Sequence, residues 1–314
     1  MIRLLKVKTE GEKEMSEEYI AFLNDLATEL FKDDVNGVKK EKECFFKLRF
    51  NPENYKISNK NIKEEKDDLL TLIKKQLGYA PTNIARLQRQ VIENLITIYQ
   101  QELIQDNVNI EALTHAEPGQ KGIWQQVYHW LHDKKFPRWQ FNQLWEQFKQ
   151  QGNPQPDWIK FAPTVRGMYW EEPVNSTPTI PCDLPLRMEL NLNYPQSYLL
   201  LLNRELNTNT RFLVCPSLAF APDNKIDQPP ILLPQMGSIA TQKNRFIKFD
   251  GEGVEEYLGI VSEKPIEIDG LTRNPKQQFP ILEDDILNQL WQQLQQQQNW
   301  QVFYQSFQVV KPQP

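Results

Sequence analysis

The chain has 314 residues, 39% of them hydrophobic and 25% charged, with a formal net charge of -5. That length exceeds the usual single domain and predicts two, each long enough to bury its own core. The charge is too small to hold the whole molecule against nucleic acid or an anionic membrane. The three cysteines, Cys44, Cys182 and Cys215, are too few and too scattered for a disulfide framework or a thiolate metal site, which points to a reducing compartment.

No apolar run approaches the roughly 20 residues that a bilayer requires, and the opening residues turn charged too soon for a signal peptide. The expectation is a cytoplasmic protein with no membrane partner. Residues 2–7 are compatible with a short strand or a loose lead, and Met15 is an alternative start. From Ser16, Tyr19, Phe22, Leu23, Leu26, Leu30 and Phe31 recur at helical spacing, with Glu17 and Glu18 in the first turn where the helix dipole favours them. Cys44, Phe45, Phe46, Leu48 and Phe50 form a compact apolar cluster. Residues 67–77 predict a second helix ended by Gly78.

After Pro81, Thr82 and Asn83 comes the longest periodic segment, with Ile84, Leu87, Val91, Leu95, Ile98 and Leu103 on one stripe. This helix of more than about five turns is the expected spine of a helical bundle. Residues 106–120 read as loop, punctuated by Pro118 and Gly119. Two tryptophan-rich helices, 122–132 and 138–150, are expected to pair as an αα-hairpin about the short connection Lys134, Lys135, Phe136 and Pro137. Residues 152–185 then shift to a proline-rich connector, with Pro154, Pro156, Pro163, Pro173, Pro178, Pro181 and Pro185. Its Trp158, Phe161, Tyr169 and Trp170 predict that it is tied down, as the first edge strand of the next domain.

From Leu186 the period becomes two. Leu186, Met188, Leu190 and Leu192 alternate with polar residues, and Tyr198 to Leu202 is a short continuous apolar run suited to a central strand. Asn207 to Thr210 is a polar turn. Residues 211–215, 231–233, 246–249 and 257–261 supply further strands. Asp284 and Asp285 open a helix over 284–299 carrying a glutamine-rich tail, and 300–310 alternates as a closing strand. The fold class is therefore α+β: an all-α helical bundle over 1–151, the connector 152–185, and an antiparallel β-sandwich with an appended helix over 186–314.

The segments 198–203 (YLLLLN), 211–216 (RFLVCP), Asn224 with Lys225, 231–234 (ILLP), 253–258 (GVEEYL) and Val261 with Ser262 occur in a recognisable order. In that order and spacing the chain resembles the bacterial domain-of-unknown-function family four-three-eight-four, over about a quarter to a third of its length. Members of that family look like small antiparallel β-sandwiches attached to protein kinases, caspase-like peptidases or repeat modules, often in cyanobacteria and other signalling-rich bacteria. The resemblance implies an accessory sensing or interaction module in signalling or defence rather than a catalyst.

Candidate chemistry is sparse. His129 and His132 share a helical face beside Asp133, but only His115 remains to complete a metal site, so they read as a surface or packing pair and no cofactor is expected. Cys215 reads as a buried apolar residue. Gly251 and Gly253 lack the strand-to-helix setting and lysine of a phosphate loop. Glu255 with Glu256 reads as solvated charge, and Asp284 with Asp285 as helix N-terminal acids. The one basic-aromatic cluster, Lys134, Lys135, Arg138 and Trp139 near Trp130 and Trp145, is the candidate interaction patch. The expected function is a non-enzymatic adaptor or sensor that binds a partner protein and, through the sandwich, a second protein or a small ligand. The alternative is a DNA-binding, sigma-like regulator acting through the helical half.

Overall fold

Helical spacing governs the first half of the chain, which forms helices, and two-residue alternation the second, where the strands lie. The computed structural model describes residues 10–57, 68–114, 122–164, 177–208, 210–267 and 280–311. Expectations resting on residues 2–7, His115, Pro118, Gly119, Tyr169, Trp170, Pro173 and Asn209 lie outside them. The chain divides into two compact units, Met1–Trp139 and Gln140–Pro314.

The first unit contains α1 (Glu10–Leu30), α2 (Asn36–Phe50), α3 (Leu69–Leu77), α4 (Ile84–Gln105), α5 (Ile110–Thr114) and α6 (Ile123–Trp130). Each is amphipathic, and the apolar sides share one core containing Phe22, Phe31, Phe45, Phe46, Ile73, Val91, Leu95 and Val127. Asp68 caps α3 by accepting from the Thr71 N–H at 2.7 Å. At the other end Gly78 takes φ 83, the left-handed conformation expected of a glycine there. Asn83 caps α4 in the same way, accepting from the Arg86 N–H at 2.9 Å. On α4 the buried stripe runs through Leu87, Val91, Leu95, Tyr99 and Leu103, whereas Ile98 is 38% exposed. Steps of four from Leu95 lead to Tyr99, and it is Tyr99 that faces the core.

Two expectations in this half are corrected. Residues 106–120 are not all loop, because α5 forms where the Asn109 side chain accepts from the Ala112 N–H. The αα-hairpin does not form. The backbone stays helical from α6 through a π-helical segment, Leu131–Lys135, into α7 (Phe136–Gln151). Pro137 lacks an N–H and would crowd the carbonyl four residues back in a regular α-helix. The wider π-turn, closed by the Phe136 N–H on the Leu131 carbonyl, carries the chain past it without a reversal. The division between units therefore falls inside α7.

In the second unit a six-stranded sheet has the order β2-β9-β8-β4-β5 with β6 also on β4: β2 (Thr179–Pro181), β4 (Ser197–Glu205), β5 (Thr210–Cys215), β6 (Lys225–Ile226), β8 (Gly253–Ser262) and β9 (Trp300–Val310). A three-stranded sheet has the order β1-β3-β7: β1 (Ile159–Pro163), β3 (Leu186–Leu190) and β7 (Ile231–Leu233). The expected strand at 246–249 is reduced to one bridge, Leu186 to Ile247. Its place on β3 is taken, because β1 covers one edge and β7 pairs residues 188–190 on the other. The proline-rich connector contributes β1 and β2, each ending on a proline at a sheet edge, where a missing ladder donor costs least. β2 runs parallel to β9, so the larger sheet is mixed rather than antiparallel; no hairpin joins these strands, and an outer edge accepts either direction.

Alternation along β8 divides its side chains between two apolar clusters. Tyr257 and Val261 join Trp158, Leu199, Met188 and Leu233 in one, while Leu258 and Ile260 join Phe141, Trp145, Phe148 and Leu290 in the other. Gly259 is bare because a Cβ there would come within 2.8 Å of the fully buried Trp158 ring. The expected helix 284–299 is α8 (Ile286–Gln295), standing between β8 and β9 in the chain; Leu294 is its last buried apolar residue, and the glutamines beyond Gln295 have no face to bury.

Candidate functional site

The basic-aromatic cluster predicted from sequence is assembled on the π-helical segment and the start of α7, and most of its charge is answered there. The Lys135 Nζ lies 2.8 Å from Glu102 Oε1 and 3.9 Å above the Tyr99 ring. Arg138 grips Asp106 with two nitrogens at 2.7 and 2.5 Å, and Asp106 also accepts from Trp130 Nε1 at 2.8 Å. Burial works to raise the Asp106 carboxyl, but the hydrogen bonds from Arg138 and Trp130 outweigh it and hold the pKa below the usual value. Trp139 Nε1 donates to Asp25 Oδ2 at 3.1 Å, and its ring stacks on Phe136. Lys134 is exposed. Glu102 of α4 and Asp106 just past its end thus meet two cations that stand close together in sequence, a pairing invisible to local reading.

His132 Nδ1 stands 2.8 Å from Asp133 Oδ1, and His129 Nε2 stands 3.3 Å from the Tyr55 hydroxyl. Among the described residues no group of three His, Cys, Asp or Glu side chains is placed to hold a metal. The cysteines are buried and free. Burial pushes the Cys44 thiol up to about 11 and raises Cys215 further, the reverse of what a nucleophilic thiolate needs.

Glu255 and Glu256 are not the solvated pair expected; both are buried, on opposite faces of β8. Glu256 accepts from Trp145 Nε1 at 3.0 Å, from Arg204 Nε at 2.8 Å, from the Tyr304 hydroxyl at 2.6 Å and from Lys149 Nζ at 3.3 Å. Burial alone would raise its pKa, but the Tyr304 hydroxyl and the Arg204 guanidinium outweigh burial and lower it. Glu255 has a single amide donor, Asn203 Nδ2 at 2.7 Å. Burial pushes its carboxyl up to about 7 against that hydrogen bond, with the Glu205 charge adding to the rise. The Glu256 network ties the second-unit part of α7 to β4, β8 and β9, and its groups are spent on one another.

The remaining site is a groove of about 270 Å³ lined by Arg187, Ile231, Leu232, Pro234, Gln235, Met236, Thr241 and Phe246. Alternation on β3 buries Leu186, Met188 and Leu190 and turns Arg187 outward; on β7 it turns Leu232 outward opposite Glu189. Leu232 is 45% exposed and Met236 92% exposed, the latter beside Gly237 at φ 86. Arg187 lies 5.7 Å from the Phe246 ring. Sequence reading missed this site because its residues come from three separated segments. The signal available was a methionine next to a glycine in a proline-flanked stretch.

Comparison of the chain with protein-family models, with curated proteins and with solved structures returns no match. No described helix is long and apolar enough to cross a membrane.

Proposed function

We propose that this chain is a non-enzymatic adaptor or sensor of bacterial signalling or defence, acting in the cytoplasm. Its first half serves as a helical bundle. Its second half serves as a β-sandwich with its own helix, of the kind found in the family four-three-eight-four that its strands resemble. The partner is a protein. The observation that carries the reading is the groove beside β7, where two apolar side chains, Leu232 and Met236, stand in solvent next to the Arg187 cation. An exposed apolar cluster rimmed by polar groups is the usual mark of a contact surface, and such surfaces favour methionine and arginine. The inward, high-pKa cysteines and the mutually occupied Glu256 network supply no activated nucleophile or open acid-base pair beside it.

The DNA-binding alternative rests on Lys134, Lys135 and Arg138. Glu102 and Asp106 already neutralise two of those cations, which leaves little charge for releasing counterions from a phosphate backbone. The adaptor reading is tested by crosslinking the full chain in its host and purifying it. A partner protein recovered reproducibly at fixed stoichiometry is expected. Repeated recovery of the chain alone overturns the reading, and salt-sensitive retention on duplex DNA would favour the alternative.

A further inference from the structure

The groove has a defined chemistry, and it names the class of segment that fits. Its walls are held by the protein's own backbone. The Gln235 N–H donates to the Phe220 carbonyl at 2.7 Å, the Gln235 side chain bridges the Asp223 backbone through bonds of 2.7 and 3.0 Å, and the Thr241 hydroxyl donates to the Gln235 carbonyl at 3.1 Å. Leu186 and Ile247 exchange backbone bonds of 2.8 and 3.0 Å, which sets Phe246 beside Arg187. A surface fixed in this way loses little entropy when it is occupied.

The edge strand β7 is only three residues long, with Pro229 and Pro230 before it and Pro234 after it. Prolines at both ends stop a partner strand from extending the ladder, so recognition falls to side chains rather than to added backbone pairing. Charge decides the rest. No acidic residue occurs from 228 to 249. Arg187 lines the groove, and Lys243 and Arg245, both exposed, lie in sequence between its lining residues Thr241 and Phe246; none of the three makes an ion pair among the described residues. The neighbouring cation Lys248 is answered by Asp183 at 3.1 Å and Asp250 at 3.6 Å. On the outward face of β3, Glu189 lies on the Leu232 side, opposite Lys160 of β1 and away from the Phe246 end.

We infer that the groove binds an acidic-apolar segment of a partner protein, with an apolar side chain against Leu232 and Met236 and carboxylates toward Arg187, Lys243 and Arg245. This deepens the adaptor reading and rests on it. One lining cation, with two more exposed on the segment that carries Thr241 and Phe246, suits one short segment better than a nucleic-acid backbone or a membrane, each of which needs a broader positive field.

The test is fluorescence anisotropy with the full chain and labelled synthetic peptides: Phe-Leu followed by three glutamates, the same peptide with lysines for glutamates, and one with serines for Phe-Leu. The acidic-apolar peptide is expected to bind at least tenfold more tightly than either control. The double variant R187E/R245E is expected to lose that binding and to gain the lysine peptide. M236D is expected to weaken the acidic peptide without reversing its charge preference. Both variants alter exposed side chains, and an unchanged thermal unfolding curve confirms the fold. Equal binding of the glutamate and lysine peptides, no binding of any peptide, or tighter binding to phosphatidylserine vesicles or duplex DNA overturns the inference. Capture of a host partner undiminished by R187E/R245E also overturns it while leaving the adaptor reading in place, so the two fail separately.

Discussion

Two groups of cations, one in each unit, differ in what answers their charge. Lys135 and Arg138 stand together in sequence and look like a binding patch, yet Glu102 and Asp106 neutralise them from more than thirty residues upstream. Arg187, Lys243 and Arg245 are dispersed in sequence, and no carboxylate among the described residues pairs with them. Clustering along the chain therefore says little about a charged surface; what matters is which acids the fold brings back to it. The same contrast is repeated at smaller scale inside β8, where Glu256 is fully compensated and its neighbour Glu255 is not.

The largest effect is expected where compensation is most complete. Replacing Glu256 with Leu would leave the Arg204 guanidinium, 7% exposed, without its principal carboxylate, and Trp145 Nε1 without an acceptor. Loss of one partner from a buried pair costs about 3–5 kcal/mol, and urea denaturation of the purified chain reads it directly. The double variant R204M/E256L should recover much of that loss, since two apolar groups of similar bulk leave no orphaned charge. A double variant no better than the single one would mean that the network's shape, not its charge balance, is what matters.

Glu255 reverses the sign. Its carboxyl is pushed from 4.5 up to about 7, mainly by burial. The folded chain therefore keeps a proton that the unfolded chain releases between those values, and stability falls as pH rises through that window, levelling off above it. Linkage puts the loss at about 3 kcal/mol, and Glu255→Gln should flatten it. Unfolding midpoints of wild type and variant at pH 5 and pH 8 give the comparison; parallel curves would show that Glu255 is ionised in the folded state like an ordinary carboxylate.

A smaller effect is expected in the first unit. Asp106→Asn weakens the Arg138 clamp but keeps an oxygen for Trp130 Nε1, so about 1–2 kcal/mol is at stake. The Asp106 pKa is lowered, so the contribution of the ionised carboxylate is present at neutral pH and lost as pH falls through the folded value. Wild type and variant should accordingly converge in acid.

Much of this fold was legible where one physical rule acts alone. Tyr19, Phe22, Leu26 and Leu30 needed only helical spacing, and the leucines of β4 only a short apolar run. Legibility ended where a second element competes. Phe246 to Phe249 alternates like a strand, but β1 and β7 had filled the edges of β3. Lys134 to Pro137 punctuates like a turn, but a π-turn absorbed the proline. Glu255 and Glu256 look like surface charge until the register of β4 places Asn203 and Arg204 beside them. The groove was least legible of all, because no single segment carries enough of it to leave a pattern.

The smallest expected effect is the most discriminating. Arg187 and Arg245 are exposed and make no ion pair among the described residues, so reversing both charges should change folding stability by no more than about 0.5 kcal/mol, as surface substitutions usually do. Arg187 has a ring contact with Phe246 to lose, which sets the upper end of that range. Cations that served the fold, as Arg138 and Arg204 do, could not be reversed so cheaply. A loss beyond about 1 kcal/mol on urea denaturation would place Arg187 among the structural cations and remove the difference between the two groups. A neutral result leaves Arg187 and Arg245 without a structural task, which is what the contact inferred at the groove expects of them.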